Sequence, residues 1–311
     1  MAAKQPPKNV KVLAILRLRN RFNALKLQEY MGRLKVIGYS GGGKKYLDEI
    51  DGIKVYEQRE ILKVDFDYLV VFNGANFLSI QKNFNNAGID KKKIIDGKVF
   101  DIPLFDFERY IKMIENPITI FSDDCWGGVV SRYLGLAQNS PFVNLHLSKG
   151  DYLKFLKDPR YYLNSELRCG QEGDIYICKI PYGTLGEGER KITLAFNHHI
   201  SFEAAANDWN RRVERVNWNN IFVKMSVDNA DSNIIKTFDA LPYSRKVCFA
   251  PKKIEDYQSA VHLPRYIQRC KVDAIHAGSN TFSAYVRMPN ELVKQIDLLK
   301  MLNGEADFRR N

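Results

Sequence analysis

A chain of 311 residues exceeds what one compact core usually serves, so two domains are expected, and its 45% apolar and 27% charged residues are those of a globular protein. The formal charge of +11 invites a polyanion, yet Lys and Arg are interleaved with acidic residues nearly everywhere, and DKKKIID (Asp90 to Asp96) is the tightest cluster. So diffuse a bias suits phosphate, a sugar phosphate or an anionic glycan precursor, and disfavours a nucleic-acid groove, for which no basic-aromatic interleaving of the RNA-recognition type is seen. No apolar run reaches the roughly 20 residues of a membrane-spanning helix, and the first residues lack a secretory core, so a cytoplasmic protein is expected. Five cysteines, Cys125, Cys169, Cys178, Cys248 and Cys270, are odd in number and form no CxxC pair, which excludes a disulfide framework and a cysteine-rich zinc site.

In chain order, VKVLAIL (Val10 to Leu16) reads as a strand. RFNALKLQEYMG follows at helical period, with Phe22, Leu25, Tyr30 and Met31 on one face and Gly32 as the stop. Strands are expected at Leu34 to Ser40, at Phe66 to Gly74 and in KKIIDG, with a helix in NFLSIQKNFNNAG. Strands separated by helices imply right-handed crossovers and a mainly parallel sheet. The first strand-to-helix turn, LRLRNRFNAL, has none of the glycines that let a backbone approach pyrophosphate, so the dinucleotide fingerprint fails. Arg17, Arg19 and Arg21 there are either a phosphate contact or the exposed face of a strand end, and SGGGKK (Ser40 to Lys45) lacks the spacing of a P-loop.

The run GYSGGG, DGIKVY, DFDYLVVF, NAGIDKKKIID resembles the small Rossmann-like domains attached to sugar-modifying acyltransferases and nucleotide-sugar enzymes. A helix over Phe105 to Pro117 ends at that proline, which also pushes Asn116 toward extended geometry. The boundary is set there: a Rossmann-like domain over 1–116 and a second α/β domain over 117–311, each a mainly parallel sheet flanked by helices.

The second domain opens on strand PITIFS (Pro117 to Ser122). Ser122, Asp123 or Asp124 then caps a helix striped by Trp126, Val130, Tyr133 and Ala137, with Cys125 in its first turn. There the helix dipole favours thiolate, while two neighbouring carboxylates oppose it. Further along, a strand over Lys191 to Ile200 carries His198 and His199 near its end. A helix capped by Ser201 follows, with Phe202, Ala206, Trp209, Val213 and Val216 on its apolar face and Arg211, Arg212 and Arg215 on another. Strand NIFVKMSV (Asn220 to Val227) ends at Asp228 and Asn229, and RKVCFAP (Arg245 to Pro251) would deliver Lys252.

Read as parallel units, these segments bring Asp123, Asp124, Cys125, His198, His199, Asp228 and Lys252 to the carboxyl ends of strands, where ligands of open sheets bind at a switch in strand order. Every piece has a structural counterpart: N-cap aspartates, a packed thiol, arginines salt-bridged to Asp208 and Glu214. Beyond Asn290 a helix to Leu302 is expected, striped by Leu292, Ile296 and Leu299 and ended by Gly304, with frayed residues after it.

Taken together, SDDCWGG, LGLAQNSPFVNL, FNHHISFEAAANDWNRRVERVN and NIFVKM resemble a bacterial family labelled exopolysaccharide biosynthesis protein, over most of residues 117 to 250. The Cys-Trp-Gly-Gly element and Trp209, Arg212 and Arg215 carry the likeness. It implies surface-polysaccharide or nucleotide-sugar metabolism, without a reaction and without a stated cofactor. Two chemistries follow. In a transferase-like one, Asp123 and Asp124 hold a divalent metal against a sugar-diphosphate leaving group, His198 or His199 is the base, and Trp126, Trp209, Arg211, Arg212, Arg215 and Lys252 bind ligand. In a papain-like hydrolase or acyltransferase, Cys125 attacks, His198 or His199 takes the proton and Asp228 orients the histidine. A non-catalytic sugar-phosphate or partner-binding protein is the alternative outside catalysis.

Overall fold

The computed structural model describes residues 10–16, 22–41, 47–73, 76–170, 180–228, 232–264 and 282–310. The chain divides into two compact units, Met1–Glu115 and Asn116–Asn311, both α/β with a parallel-rich sheet, the class expected from the alternation of patterns.

The first unit is built on β1 (Lys11–Leu16), β2 (Lys35–Ser40), β3 (Glu49–Ile50), β4 (Ile53–Tyr56), β5 (Tyr68–Phe72) and β6 (Ile94–Asp96), in the spatial order β3-β4-β2-β1-β5-β6. All pairs are parallel except β3 with β4, a short hairpin that the sequence pattern does not announce. The central strands β1 and β5 are buried along almost their whole length, which is why they read as unbroken apolar runs. Leu13, Ile15, Leu69 and Val71 pack with Ile61, Phe84 and Ile94.

Helix α1 (Phe22–Tyr30) departs from its expected face. Leu25 and Gln28 point inward, whereas Tyr30 and Met31 are exposed. Gln28 is tolerated there because its amide donates to Phe105 O and accepts from Phe107 N, so neither end of the amide is left unpaired. Helices α2 (Phe77–Asn86) and α3 (Phe107–Glu115) complete the unit. The strand order reverses between β1 and β5, but Arg17, Arg19 and Arg21, which follow β1, lie outside the described residues, as does most of the SGGGKK run.

In the second unit, β7 (Thr119–Ser122), β11 (Ile221–Ser226), β12 (Lys246–Ala250) and β13 (Ala260–His262) form a parallel sheet in the order β13-β12-β11-β7. That order is monotonic in sequence, so the switch expected here is not found among the described strands. A separate antiparallel sheet joins β8 (Arg168–Cys169), β9 (Tyr182–Leu185) and β10 (Ile192–Ala195). The parallel reading of Lys191 to Ile200 is thereby corrected: β10 is four residues long and pairs antiparallel with β9, so His198 and His199 fall in the turn beyond it.

Helices α4 (Trp126–Tyr133), α5 (Lys149–Lys157), α6 (Pro159–Asn164), α7 (Phe202–Val213) and α8 (Ser232–Asp239) pack around these sheets. The strands feed two faces, as their two-residue period requires. Phe121, Val223, Met225 and Cys248 join Phe142, Phe155 and Trp209 in the main core, while Phe222 and Phe249 meet the Trp126 ring of α4. The single helix expected from Asn290 to Leu302 is instead two short pieces, α10 (Pro289–Leu292) and α11 (Leu298–Leu302), preceded by another short helix, α9 (Phe282–Val286). Asp297 caps α11, and the backbone turns so that Asp297 N bonds Phe308 O and Arg310 N bonds Gln295 O, which ties down residues expected to fray.

A candidate functional site at the carboxyl end of β7 and β11

Strand β7 runs out at Ser122, and the turn to α4 is made by side chains that also carry charge. Ser122 Oγ donates to Asp124 O at 2.6 Å and accepts from Gly127 N at 3.2 Å, while Asp124 Oδ1 accepts from Trp126 N at 3.0 Å. The first amides of α4 are thus capped by Ser122 and Asp124, as the sequence suggested. Asp123 is turned the other way and is completely buried.

Lys224, also completely buried, lies opposite Ser122 in the register of β11 with β7. Its ammonium stands between the carboxylates, 2.9 Å from Asp123 Oδ1 and 3.0 Å from Asp124 Oδ1, and reaches Ser226 Oγ at 3.1 Å. Asp123 Oδ2 accepts from Ser226 N at 3.3 Å and pairs with Lys149 at the start of α5. Burial alone would push the Asp123 carboxyl up; the charges of Lys224 and Lys149, and the bonds they donate, outweigh it and hold the carboxyl down at about 2. Burial likewise works to lower Lys224, but the two aspartates raise it, so Asp123 and Lys224 meet as an ion pair at neutral pH.

Around this triad sit groups that reach solvent. Arg287, just past α9, places Nη1 3.6 Å from Asp124 Oδ2 and is about one-third exposed. Asp228, beyond β11, accepts from both Ser283 N (2.9 Å) and Ser283 Oγ (3.0 Å), and Ser283 Oγ meets Ser226 Oγ at 3.1 Å. Asp228 therefore anchors the helix preceding Arg287. His146 is on the rim, with its backbone bridged to Ala195 at the end of β10. Desolvation first, then the charge of Lys149, push its imidazole below the ordinary histidine range, with Asp123 and Asp124 pulling the other way. Three residues here carry a buried polar atom without a hydrogen-bond partner: Asp124 (Oδ2), Trp126 (Nε1) and Tyr152 (OH).

Of the residues nominated from sequence, Asp123, Asp124, Cys125 and Asp228 are brought to this strand end. The metal reading of the carboxylate pair meets a physical obstacle, because the Lys224 ammonium already stands between the two carboxylates; among the described residues they join no group of three or more His, Cys, Asp or Glu able to hold a metal. Cys125 is half-buried, and burial followed by the Asp124 charge pushes its thiol up, against the pull of Arg287. Among the described residues, Asp228 bonds Ser283 and no histidine.

The histidines belong elsewhere. His199 Nε2 is 3.3 Å from Asp208 Oδ2, on α7, and its ring packs edge-on to Phe196. Asp208 also binds Arg211 and Arg212, and the buried Arg212 donates to Val143 O at 2.9 Å. The ligand-binding reading of Trp126 and Trp209 is corrected too, since both rings are core side chains with no exposed face. Arg215 and Lys252 are exposed, Lys252 just after β12.

Sequence reading missed Lys149, Lys224, His146, Ser226, Ser283 and Arg287. For Lys224 a signal existed: an ionisable side chain inside NIFVKMSV, a run apolar enough to be buried on both faces, must find a buried partner.

The fold and site define an α/β protein whose parallel sheet ends in two buried aspartates clasped by a lysine. The chain belongs to the family described as Domain of unknown function (DUF1919), which matches residues 96–303, while residues 20–95 match the C2185-like N-terminal family. An uncharacterised protein of Haemophilus influenzae is 31% identical over 165 residues, covering 53% of this chain and 76% of its own. None of these names carries an activity. No described helix is long and apolar enough to cross a membrane.

Proposed function

We propose that the protein is a transferase-like enzyme of bacterial surface-polysaccharide or nucleotide-sugar metabolism, working in the cytoplasm on a phosphorylated sugar bound at the end of β7 and β11. The observation that carries this reading is the pair of partly exposed cations, Lys149 and Arg287, held beside a buried Asp123–Lys224–Asp124 triad. The three buried ions carry a net charge of −1, which Lys149 offsets in its bridge to Asp123, so Arg287 adds a cation in excess and is the group positioned to meet a ligand anion, with Lys149 beside it. In this reading Lys224 takes the place of the metal otherwise expected between paired carboxylates, and Asp228 sets Arg287 through Ser283. Residues 1–116 and 117–311 act as domains, the first Rossmann-like on its strand order, with one reversal between β1 and β5.

The test is calorimetric titration of the full chain with glucose 1-phosphate and UDP-glucose, beside a Lys149→Ala/Arg287→Ala double variant whose fold is checked by circular dichroism. Binding to the wild type that weakens about a hundredfold in the double variant is expected, for two charge-assisted contacts. Absence of binding to either compound, or binding the double variant leaves intact, would favour a partner-binding protein instead.

A further inference from the structure

We propose that the ligand of this site donates a hydroxyl to Asp124 Oδ2 while its anionic group is taken by Arg287, so that the site selects a hydroxyl-bearing phosphate ester, such as a sugar phosphate, over a phosphate ester without a hydroxyl. The inference rests on the phosphorylated-ligand reading above and adds to it the group that discriminates.

The two oxygens of Asp124 are used unequally. Oδ1 accepts from Lys224 Nζ and Trp126 N, both at 3.0 Å. Oδ2 is buried and accepts no hydrogen bond; Arg287 Nη1 stands 3.6 Å from it, too far for a direct bond. A buried carboxylate oxygen is an acceptor only, so what the position lacks is a donor. A fully ionised phosphate monoester has no proton to give; a hydroxyl has one.

The second lone group has the complementary need. Tyr152 follows Lys149 by one turn on α5, and its hydroxyl is buried without a partner. A sugar hydroxyl both donates and accepts, and can serve groups of either kind.

Access to Oδ2 is controlled by Arg287. Its helix is fixed at the first turn, where Asp228 holds Ser283 and Ser283 meets Ser226. The side chain itself is about one-third exposed and makes no hydrogen bond to Asp124, so rotation about its own bonds uncovers the carboxylate and carries the guanidinium onto a ligand anion. Asp228 is accordingly a positioning residue for Arg287.

The experiment compares glucose 1-phosphate with cyclohexyl phosphate, which has the same ring size and charge and no hydroxyl, by calorimetric titration of the full chain. The wild type is expected to bind glucose 1-phosphate about tenfold more tightly, the order of one charge-assisted hydrogen bond. In Asp124→Asn, which removes the charged acceptor at Oδ2, the preference for glucose 1-phosphate over cyclohexyl phosphate is expected to fall to about threefold or less, whatever the lost charge does to the two affinities in common. In Asp228→Ala both affinities fall together and the preference stays, which a purely structural role for Asp124 would not produce. Equal affinities in the wild type, or a preference that survives Asp124→Asn, would overturn the inference and leave the phosphate site standing. If Asp124→Asn fails to fold, equal wild-type affinities still overturn it, and a preference for glucose 1-phosphate that is lost in Asp228→Ala overturns it as well. Failure of the wild type to bind either compound removes the phosphate reading and this inference with it.

Discussion

Two ionic clusters in the second unit look alike on paper and are built in opposite ways. At the end of β7, Asp123 and Asp124 meet Lys224 from about a hundred residues away, and all three are nearly or fully buried. On α7, Asp208 gathers Arg211, Arg212 and His199 from within ten residues, and its own side chain is 30% exposed. The first cluster can form only when the sheet has formed; the second needs little more than one helix and the turn before it. Long-range burial removes the water that would screen an unpaired charge, so each member of the first cluster depends on the others, whereas Asp208 and Arg211 in the second can fall back on solvent.

The sharpest way to break this contrast is Lys224→Met. It leaves two carboxylates buried without their cation and is expected to cost about 3–5 kcal/mol, read from denaturant unfolding of the second unit. A loss below about 1 kcal/mol would put the buried cluster on a par with a surface pair. Asp208→Asn is expected to cost less, about 1 kcal/mol by the same measurement, because Asp208 and Arg211 are partly solvated and the buried Arg212 keeps its bond to Val143 O; a loss as large as that of Lys224→Met would erase the distinction. The smallest effect concerns reactivity and leaves stability untouched. With its thiol pushed above the ordinary range, Cys125 is expected to react with iodoacetamide more slowly than a free thiol at neutral pH, and to accelerate only as pH rises past the usual ~8.5. In a variant whose other four cysteines are serine, fast alkylation at pH 7 would return Cys125 to the role of nucleophile.

The same contrast explains what could be read beforehand. Asp123, Asp124 and the start of α4 were legible because an apolar run followed by capping residues is a local signal, and both aspartates lie in it. Lys149 and Arg287 were not, since each is an ordinary surface-type residue in sequence and gains meaning only from what the fold sets opposite it. His198 and His199 were misplaced for a different reason. Ile192–Ala195 is too short for its pattern to tell a parallel strand from an antiparallel one, and the error moved two histidines to the wrong sheet. Similarly, Tyr30 and Met31 fit a helical stripe on paper, but Gln28 took the inward position because backbone groups at Phe105 and Phe107 were there to satisfy it. Tertiary hydrogen bonding outranked hydrophobic period.

The glycine pair after Trp126 records a clearance. A Cβ on Gly128 would lie 2.9 Å from a methyl of Val143, and one on Gly127 would sit 3.0 Å from Ile120. Helix α4 is therefore seated as closely on β7 and the 140s segment as a bare backbone allows, and that seating brings its first amides within reach of Ser122 and Asp124. In this light Cys-Trp-Gly-Gly is a gauge of width: a signature that looks like chemistry marks how little room there is between a helix and the strand beneath it.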